Sequence, residues 1–283
     1  EANYYWFKSD GYTLLPKEYF ISFDPGDPDS FIKVPLGETV KNKTLVHYLE
    51  NKFTFGCLTL VPGYHVEYLD RTGKAVFDPR GAITLALPSG TTIGAAGGYY
   101  SCFIQTNGTY FNDYPNLAAA DYLDPQRAIH RALSLEQKVS GYTFKVEGFY
   151  NNFWDIVRAE ENDDKNFINA TDLKTYGFEV MAKISDESDQ GPFGWLSYTL
   201  SRSKVRSNMA TDPSADEWII SEYDQTHVIK LISGYTHKKH TLSARFQFNS
   251  SVPYTPITGS YQNPPASGRY VPVYGKEHTE RLS

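Results

Sequence analysis

The sequence predicts an all-β, antiparallel transmembrane barrel wall, and three observations carry that prediction. Apolar and polar residues alternate strictly along many short segments, tight turns alternate with long connections, and a polar chain is loaded with aromatic rings. The alternation is clearest at Thr241–Asn249. Leu242, Ala244, Phe246 and Phe248 point one way there, and Thr241, Ser243, Arg245, Gln247 and Asn249 the other. A period of two is that of a strand with two unlike faces. Two Phe on one face and Arg245 on the other suit a strand between lipid and a polar lumen.

Ten strands are expected, each near the roughly 9–11 residues that a tilted membrane strand needs. They run at 44–55, 58–69, 76–87, 91–104, 128–139, 142–157, 175–184, 193–205, 226–235 and 240–249. Leu58, Leu60, Tyr64, Val66 and Tyr68 oppose Thr59, His65 and Glu67. Tyr142, Phe144, Val146 and Tyr150 oppose Thr143, Lys145 and Glu147. Tyr176, Phe178, Val180, Ala182 and Ile184 oppose Thr175, Glu179 and Lys183; Leu196, Tyr198 and Leu200 oppose Ser197, Thr199 and Ser201. The segment 226–235 fits least, because Lys230 and Ile232 share a face.

Connection length is a second signal. Tight turns are expected near Gly56, at Pro88-Ser89-Gly90, at Ser140-Gly141, at 188–191 and at Lys238-Lys239. Longer segments fall at 105–127, 158–174, 206–224 and after Ser250. Outer-membrane barrels have short periplasmic turns and long extracellular loops, so the alternation sets polarity as well as fold. Residues 1–43, rich in Pro, Asp and Tyr, are expected to form another extracellular loop, leaving 44–283 as partial barrel.

Composition excludes several classes. Aromatics make up 15% of the 283 residues, with 22 Tyr and 17 Phe, while only 40% are hydrophobic. Mean hydropathy is -0.46. A barrel uses such rings for its lipid band and interfacial girdles. The net charge of -6 argues against nucleic acid as a partner. No apolar run approaches the roughly 20 residues of a membrane helix. Glu1 is preceded by no secretion signal, so the chain is expected to be an internal piece of a longer protein. Two cysteines, Cys57 and Cys102, make no disulfide scaffold, and they are expected at opposite ends of the wall.

Local chemistry is sparse. No catalytic Ser/His/Asp or Cys/His arrangement, Walker loop or dinucleotide fingerprint is present, so no enzyme and no cofactor are expected. His237 and His240 flank a Lys-Lys turn and read as solvated rather than metal-binding. Asp24, Asp27 and Asp29, and the acids of 160–164, lack the register of a calcium loop, so no metal site is expected. Tyr223-Asp224-Gln225-Thr226-His227 reads as a structural strand entry rather than a ligand contact. Gly94, Ala96 and Gly98 lie on the lumen parity, where missing side chains either admit another body or merely weaken the strand.

From Tyr122 onward the chain resembles the C-terminal barrel half of TonB-dependent outer-membrane receptors. The segments that carry the resemblance are LDPQRAIHRALSLEQ (123–137), FYNNFWDIV (149–157), YGFEVMAKI (176–184), FGWLSYTLSRS (193–203), YDQTHVIKLISGY (223–235), SVPYTPITG (251–259) and YVPVYG (270–275). The stretch 58–87 fits more loosely. The resemblance implies a 22-stranded barrel in the bacterial outer membrane, of which about ten strands are present. It implies a plug domain in the same parent chain, a TonB complex engaged through an N-terminal part outside this sequence, and a small nutrient ligand. Ferric siderophores are the commonest substrates of that family. Gly94, Ala96 and Gly98 would then face the plug. Tyr110, Tyr114, Arg127 and Trp218, at the extracellular rim, would stack on or pair with the ligand. A passive porin and a barrel adhesin are the alternatives.

Overall fold

The computed structural model describes residues 2–13, 18–22, 31–35, 40–70, 72–103, 122–160, 163–184, 190–207, 217–262, 270–274 and 280–281. The first strands are β1 (Ala2–Thr13), β2 (Glu18–Ser22), β3 (Phe31–Pro35), β4 (Val40–Asn51) and β5 (Phe53–Phe55). Next come β6 (Leu58–Leu69), β7 (Lys74–Ala86), β8 (Thr91–Cys102), β9 (Gln126–Val139) and β10 (Tyr142–Glu160). These are followed by β11 (Asp163–Ile184), β12 (Gly191–Ser207), β13 (Ile219–Ile220), β14 (His227–His237) and β15 (His240–Asn249). The last are β16 (Pro253–Tyr254), β17 (Ile257–Gln262), β18 (Tyr270–Tyr274) and β19 (Glu280–Arg281).

One antiparallel sheet dominates, in the order β1-β4-β6-β7-β8-β9-β10-β11-β12-β14-β15, with β5 continuing β4 against β6 and β13 added to β12. Nearly every wall strand pairs with its neighbour in sequence, as an up-and-down meander requires. Among the described residues β1 and β15 are its two edges. Small pairs β2-β3, β16-β19 and β17-β18 stand apart from it.

The register carries one apolar series across the wall. Leu60 faces Ile83, Ile83 faces Ala95, Ala95 faces Leu133, and Leu133 faces Gly148. Farther along, Val146 pairs with Val180, Val180 with Tyr198, Tyr198 with Ile229, and Ile229 with Phe248. This face is bare: Leu133 is 69% exposed and Leu242 80%. A water-soluble sheet would bury such a face under a second layer. Among the described residues no second layer covers it, and the buried apolar side chains are few. Leu69, Val76 and Phe103 form one small cluster at the end of β6–β8 opposite the turns at Gly56, Pro88–Gly90 and Ser140–Gly141; this is the loop end.

The opposite series is polar. Glu136 pairs with Lys145 and Ser134 with Glu147, while Lys145 and Glu147 form an ion pair at 2.8 Å. Thr199 donates to Glu179 at 2.9 Å. The awkward segment in β14 also resolves. Ile232 faces Trp195 on one side and Arg245 on the other, while Lys230 faces Ser197 and Gln247. This isoleucine on the polar series thus pairs with a tryptophan.

Tight turns close one end of the wall as expected. Ser140 and Gly141 both take positive φ (46° and 83°), the two-residue geometry whose twist suits a hairpin. The other end departs from expectation twice. The expected loop at 158–174 is mostly paired strand, because β10 and β11 extend beyond the wall and only residues 161 and 162 separate them. The ladder persists there through register shifts near Phe153 and Ala159, which scramble the alternation that sequence reading depends on. Within 1–43, expected to be a loop, Ala2–Thr13 pairs along its whole length with Val40–Asn51. That strand carries Tyr4, Tyr5, Trp6 and Phe7 in succession, so its sequence shows no apolar–polar period.

Both cysteines are free and exposed. Cys57 sits at the β5–β6 turn and Cys102 ends β8 at the loop end, with β6 and β7 between. A disulfide needs Cα atoms within roughly 7 Å. Titration of the unfolded, unreduced protein is expected to find both thiols; a Cys57–Cys102 peptide in a digest would refute this placement.

Candidate functional surface

The polar face holds a band of rings and one guanidinium near the loop end. Arg80, in β7, lies opposite Gly63 in β6 and Gly98 in β8. The two glycines leave room for its stem to lie flat. A Cβ at position 98 would stand 2.5 Å from that of Arg80. So placed, the guanidinium approaches Tyr100 at 4.8 Å and Tyr48 at 5.8 Å, cation–π distances within about 6 Å. Tyr100 meets the ring of His130 at 4.6 Å, and His130 meets Phe153 at 5.5 Å. The result is a ladder from β4 to β10: Tyr48, Arg80, Tyr100, His130, Phe153. Tyr48 also donates its hydroxyl to Glu50 at 2.6 Å. Flat faces flanked by charge suit a planar or anionic partner.

Asp78, buried within the wall beside this band, has a structural task. The β7–β8 ladder stops at Arg80 and Gly98. Beyond it the Asp78 carboxylate accepts the Ser101 backbone N–H at 3.0 Å and its hydroxyl at 2.7 Å. His65 Nδ1 lies 3.3 Å from the same carboxylate. A side chain thus replaces the missing strand carbonyl.

Below the ladder the face is smooth. Ala82, Ala96 and Ala132 form one row, and Thr84, Gly94 and Ser134 the next. The sequence candidates Gly94, Ala96 and Gly98 therefore do share the polar face. Two of the vacancies are used by the wall itself: the Arg80 stem fills the one at Gly98, and the Ser134 hydroxyl lies 2.7 Å from where a Cβ of residue 94 would be.

The rim candidates separate. Tyr110 and Tyr114 lie outside the described residues. Arg127 is exposed, pairs with Trp154 and Ser101, and belongs to the series of Ile129 and Leu133, not to that of Tyr100. Trp218 lies against Lys174 Nζ (3.9 Å to the ring centre) and the Arg206 guanidinium (4.9 Å). Those two cations continue the apolar series of Phe178 and Leu200 past its loop end. β10 lies between Arg127, in β9, and the Lys174 of this tryptophan site, in β11. The Tyr48–Phe153 ladder is absent from the sequence candidates, because its members come from five strands at no recurring spacing. Among the described residues no cluster of His, Cys, Asp and Glu could hold a metal.

Asp224, in the segment read as a strand entry, is wholly buried. Its carboxylate accepts the Ser203 N–H at 2.5 Å, the Thr226 hydroxyl at 3.1 Å and Arg202 at 3.3 Å. It completes the edge of β12 above the point where β14 stops pairing.

No family model matches the chain, and no curated protein does. Solved structures match well. The FrpB iron transporter from Neisseria meningitidis superposes with a TM-score of 0.58 at 14% identity, over 77% of this chain and 34% of that one. The outer membrane transporter YddB from Escherichia coli gives 0.58 at 12% identity, over 84% and 38%. The ferripyoverdine receptor of the outer membrane of Pseudomonas aeruginosa gives 0.55 at 13%, over 88% and 33%. The chain thus spans about a third of the length of these proteins. Its fold is that of part of an outer-membrane transporter β-barrel, as its resemblance to TonB-dependent receptors implies.

Proposed function

We propose that this chain is wall from an energy-coupled, TonB-dependent uptake receptor of the bacterial outer membrane, with a ferric siderophore or similar metal chelate as cargo. The observation that carries the reading is the two-faced wall: one face bare and apolar between rings of Tyr, the other polar and partly smooth. Tyr142 and Tyr235 mark the turn end of the bare face, and Tyr150 and Tyr176 its loop end. The turn end is then periplasmic and the loop end extracellular. Smooth rows at Ala82–Ala96–Ala132 and Thr84–Gly94–Ser134 suit a plug seated in the lumen, with the TonB complex engaging the plug side. The Tyr48–Arg80–Tyr100 ladder above them suits capture of an anionic, ring-bearing chelate, with Tyr110 and Tyr114 as loop contacts.

Gly98→Trp tests this. The new ring must displace the Arg80 stem into the lumen. In a plugged receptor it is expected to abolish uptake of a ferric chelate or to make the barrel conduct. An open porin would show only a narrowed pore. Large conductance in the unaltered full-length protein, with uptake that survives collapse of the proton-motive force, would overturn the energy-coupled reading.

A further inference from the structure

The bare face of the wall ends in charge on one side only. Reading up β11 and β12, Val180 pairs with Tyr198, Phe178 with Leu200, Tyr176 with Arg202, Lys174 with Lys204, and Asp172 with Arg206. These residues form one register series, so the cations continue the same face as the apolar residues beneath them. Tyr150 stacks on Tyr176 at 5.8 Å at the change from apolar to charged, and Tyr198 stacks on His227 at 6.1 Å two residue pairs beneath it on β12. Eight residues separate Tyr142 from Tyr150, about 20 Å of height for a strand tilted about 40°. The apolar band is about 25 Å tall, so Lys174 and Lys204, one same-face pair higher, stand at its edge, and Arg206 about 5 Å beyond it.

Asp172 holds Arg206 at 2.5 Å and Asp224 holds Arg202 at 3.3 Å. Lys174 and Lys204 have no ion pair among the described residues. Trp218 lies against Lys174 and Arg206, an amphipathic ring at the height where such rings settle in membranes. Arg206 Nε is buried without an acceptor.

We propose that Lys174, Lys204 and Arg206, with Trp218, form a binding site on the outer surface of the barrel for the phosphate of an outer-leaflet glycolipid headgroup. The proposal rests on the outer-membrane reading above. A lysine offers a phosphate oxygen a point charge, and the guanidinium offers it a fixed fork. The acyl chains of the same molecule would run down the bare face past Phe178 and Leu200, which fixes the partner as a lipid. Location on the apolar series separates this site from cargo binding on the polar face.

The test uses the full-length protein in detergent, with diphosphoryl lipid A, the same lipid after phosphate removal, and inorganic phosphate as probes, followed by native mass spectrometry. The intact lipid is expected to bind at least ten-fold more tightly than the dephosphorylated one, and the difference to shrink with salt. The double variant Lys174→Gln/Lys204→Gln is expected to abolish the difference, whereas Lys230→Gln, on the polar face, leaves it intact. Equal binding of the two lipids, or a difference that survives the double variant, would overturn the proposal. Inorganic phosphate that competes at equal affinity would overturn it in favour of a free-anion site. Should the double variant not assemble, the phosphate-removal comparison on the unaltered protein decides. Recovery of the protein outside the outer-membrane fraction would refute the underlying reading instead.

Discussion

Asp224→Ala is expected to cost about 2–4 kcal/mol and to loosen the loop end of β12. Below Leu200, β12 is covered by β14; above it the segment 217–226 takes over. Ser201 N–H donates to Thr226 O at 3.0 Å, and Ser221 N–H to Ser203 O at 3.0 Å. Between them the Ser203 N–H has only the Asp224 carboxylate. Alanine strands that donor, worth about 1–3 kcal/mol when buried. It also releases Arg202, whose contribution is discounted because that side chain is about one-third exposed. Asp224→Asn keeps an acceptor and is expected to lose about half as much. Urea unfolding of the full-length protein in vesicles, with proteolysis at the loop end, reads both effects. If Asp224→Ala unfolds at the same urea concentration as the unaltered protein, water replaces the carboxylate and the strand-capping role fails.

This residue also marks the boundary of what the sequence made legible. Most wall strands were readable because a one-layer sheet with two unlike faces keeps a period of two along most of each strand, as in β15. β1 was missed because four aromatics in a row erase that period, and a strand is then recognised only by its partner β4. The extension of β10 and β11 was missed because bulges shift the phase, so Phe167 and Ala170 are both buried although three residues apart. Asp224 was legible as strand entry, from a polar cluster just before an apolar run, but its bond to Ser203 was not. The Arg80 ladder was illegible for a different reason: it is set by register across β4 to β10, and register is a pairwise property of strands. The lysines of the proposed lipid site were visible as residues, yet their face was hidden until the ladder fixed it.

Phe246→Arg should be the most damaging single change on the bare face. Phe246 pairs with Leu231, and its neighbours in the series are Ala244 and Phe248; Arg245 and Gln247 pair with Ile232 and Lys230 on the other face. The side chain is 57% exposed, and on the proposed membrane reading its solvent is lipid. A guanidinium there must be desolvated or drag water and headgroups inward, at about 2–4 kcal/mol near the bilayer midplane and about 0–1 near either interface. Phe246 lies six residues above the β14–β15 turn, about 15 Å along the normal at a tilt of about 40°, within the apolar band. The full cost is therefore expected. Gln247→Ala, one residue away on the polar face, is expected to be nearly neutral because its hydrogen bonds to Arg245 and Asn249 are exposed to water. Paired urea titrations of the two variants in vesicles measure the contrast. A Phe246→Arg protein as stable as Gln247→Ala would mean that this face meets water, and the membrane assignment of the whole wall would fall with it.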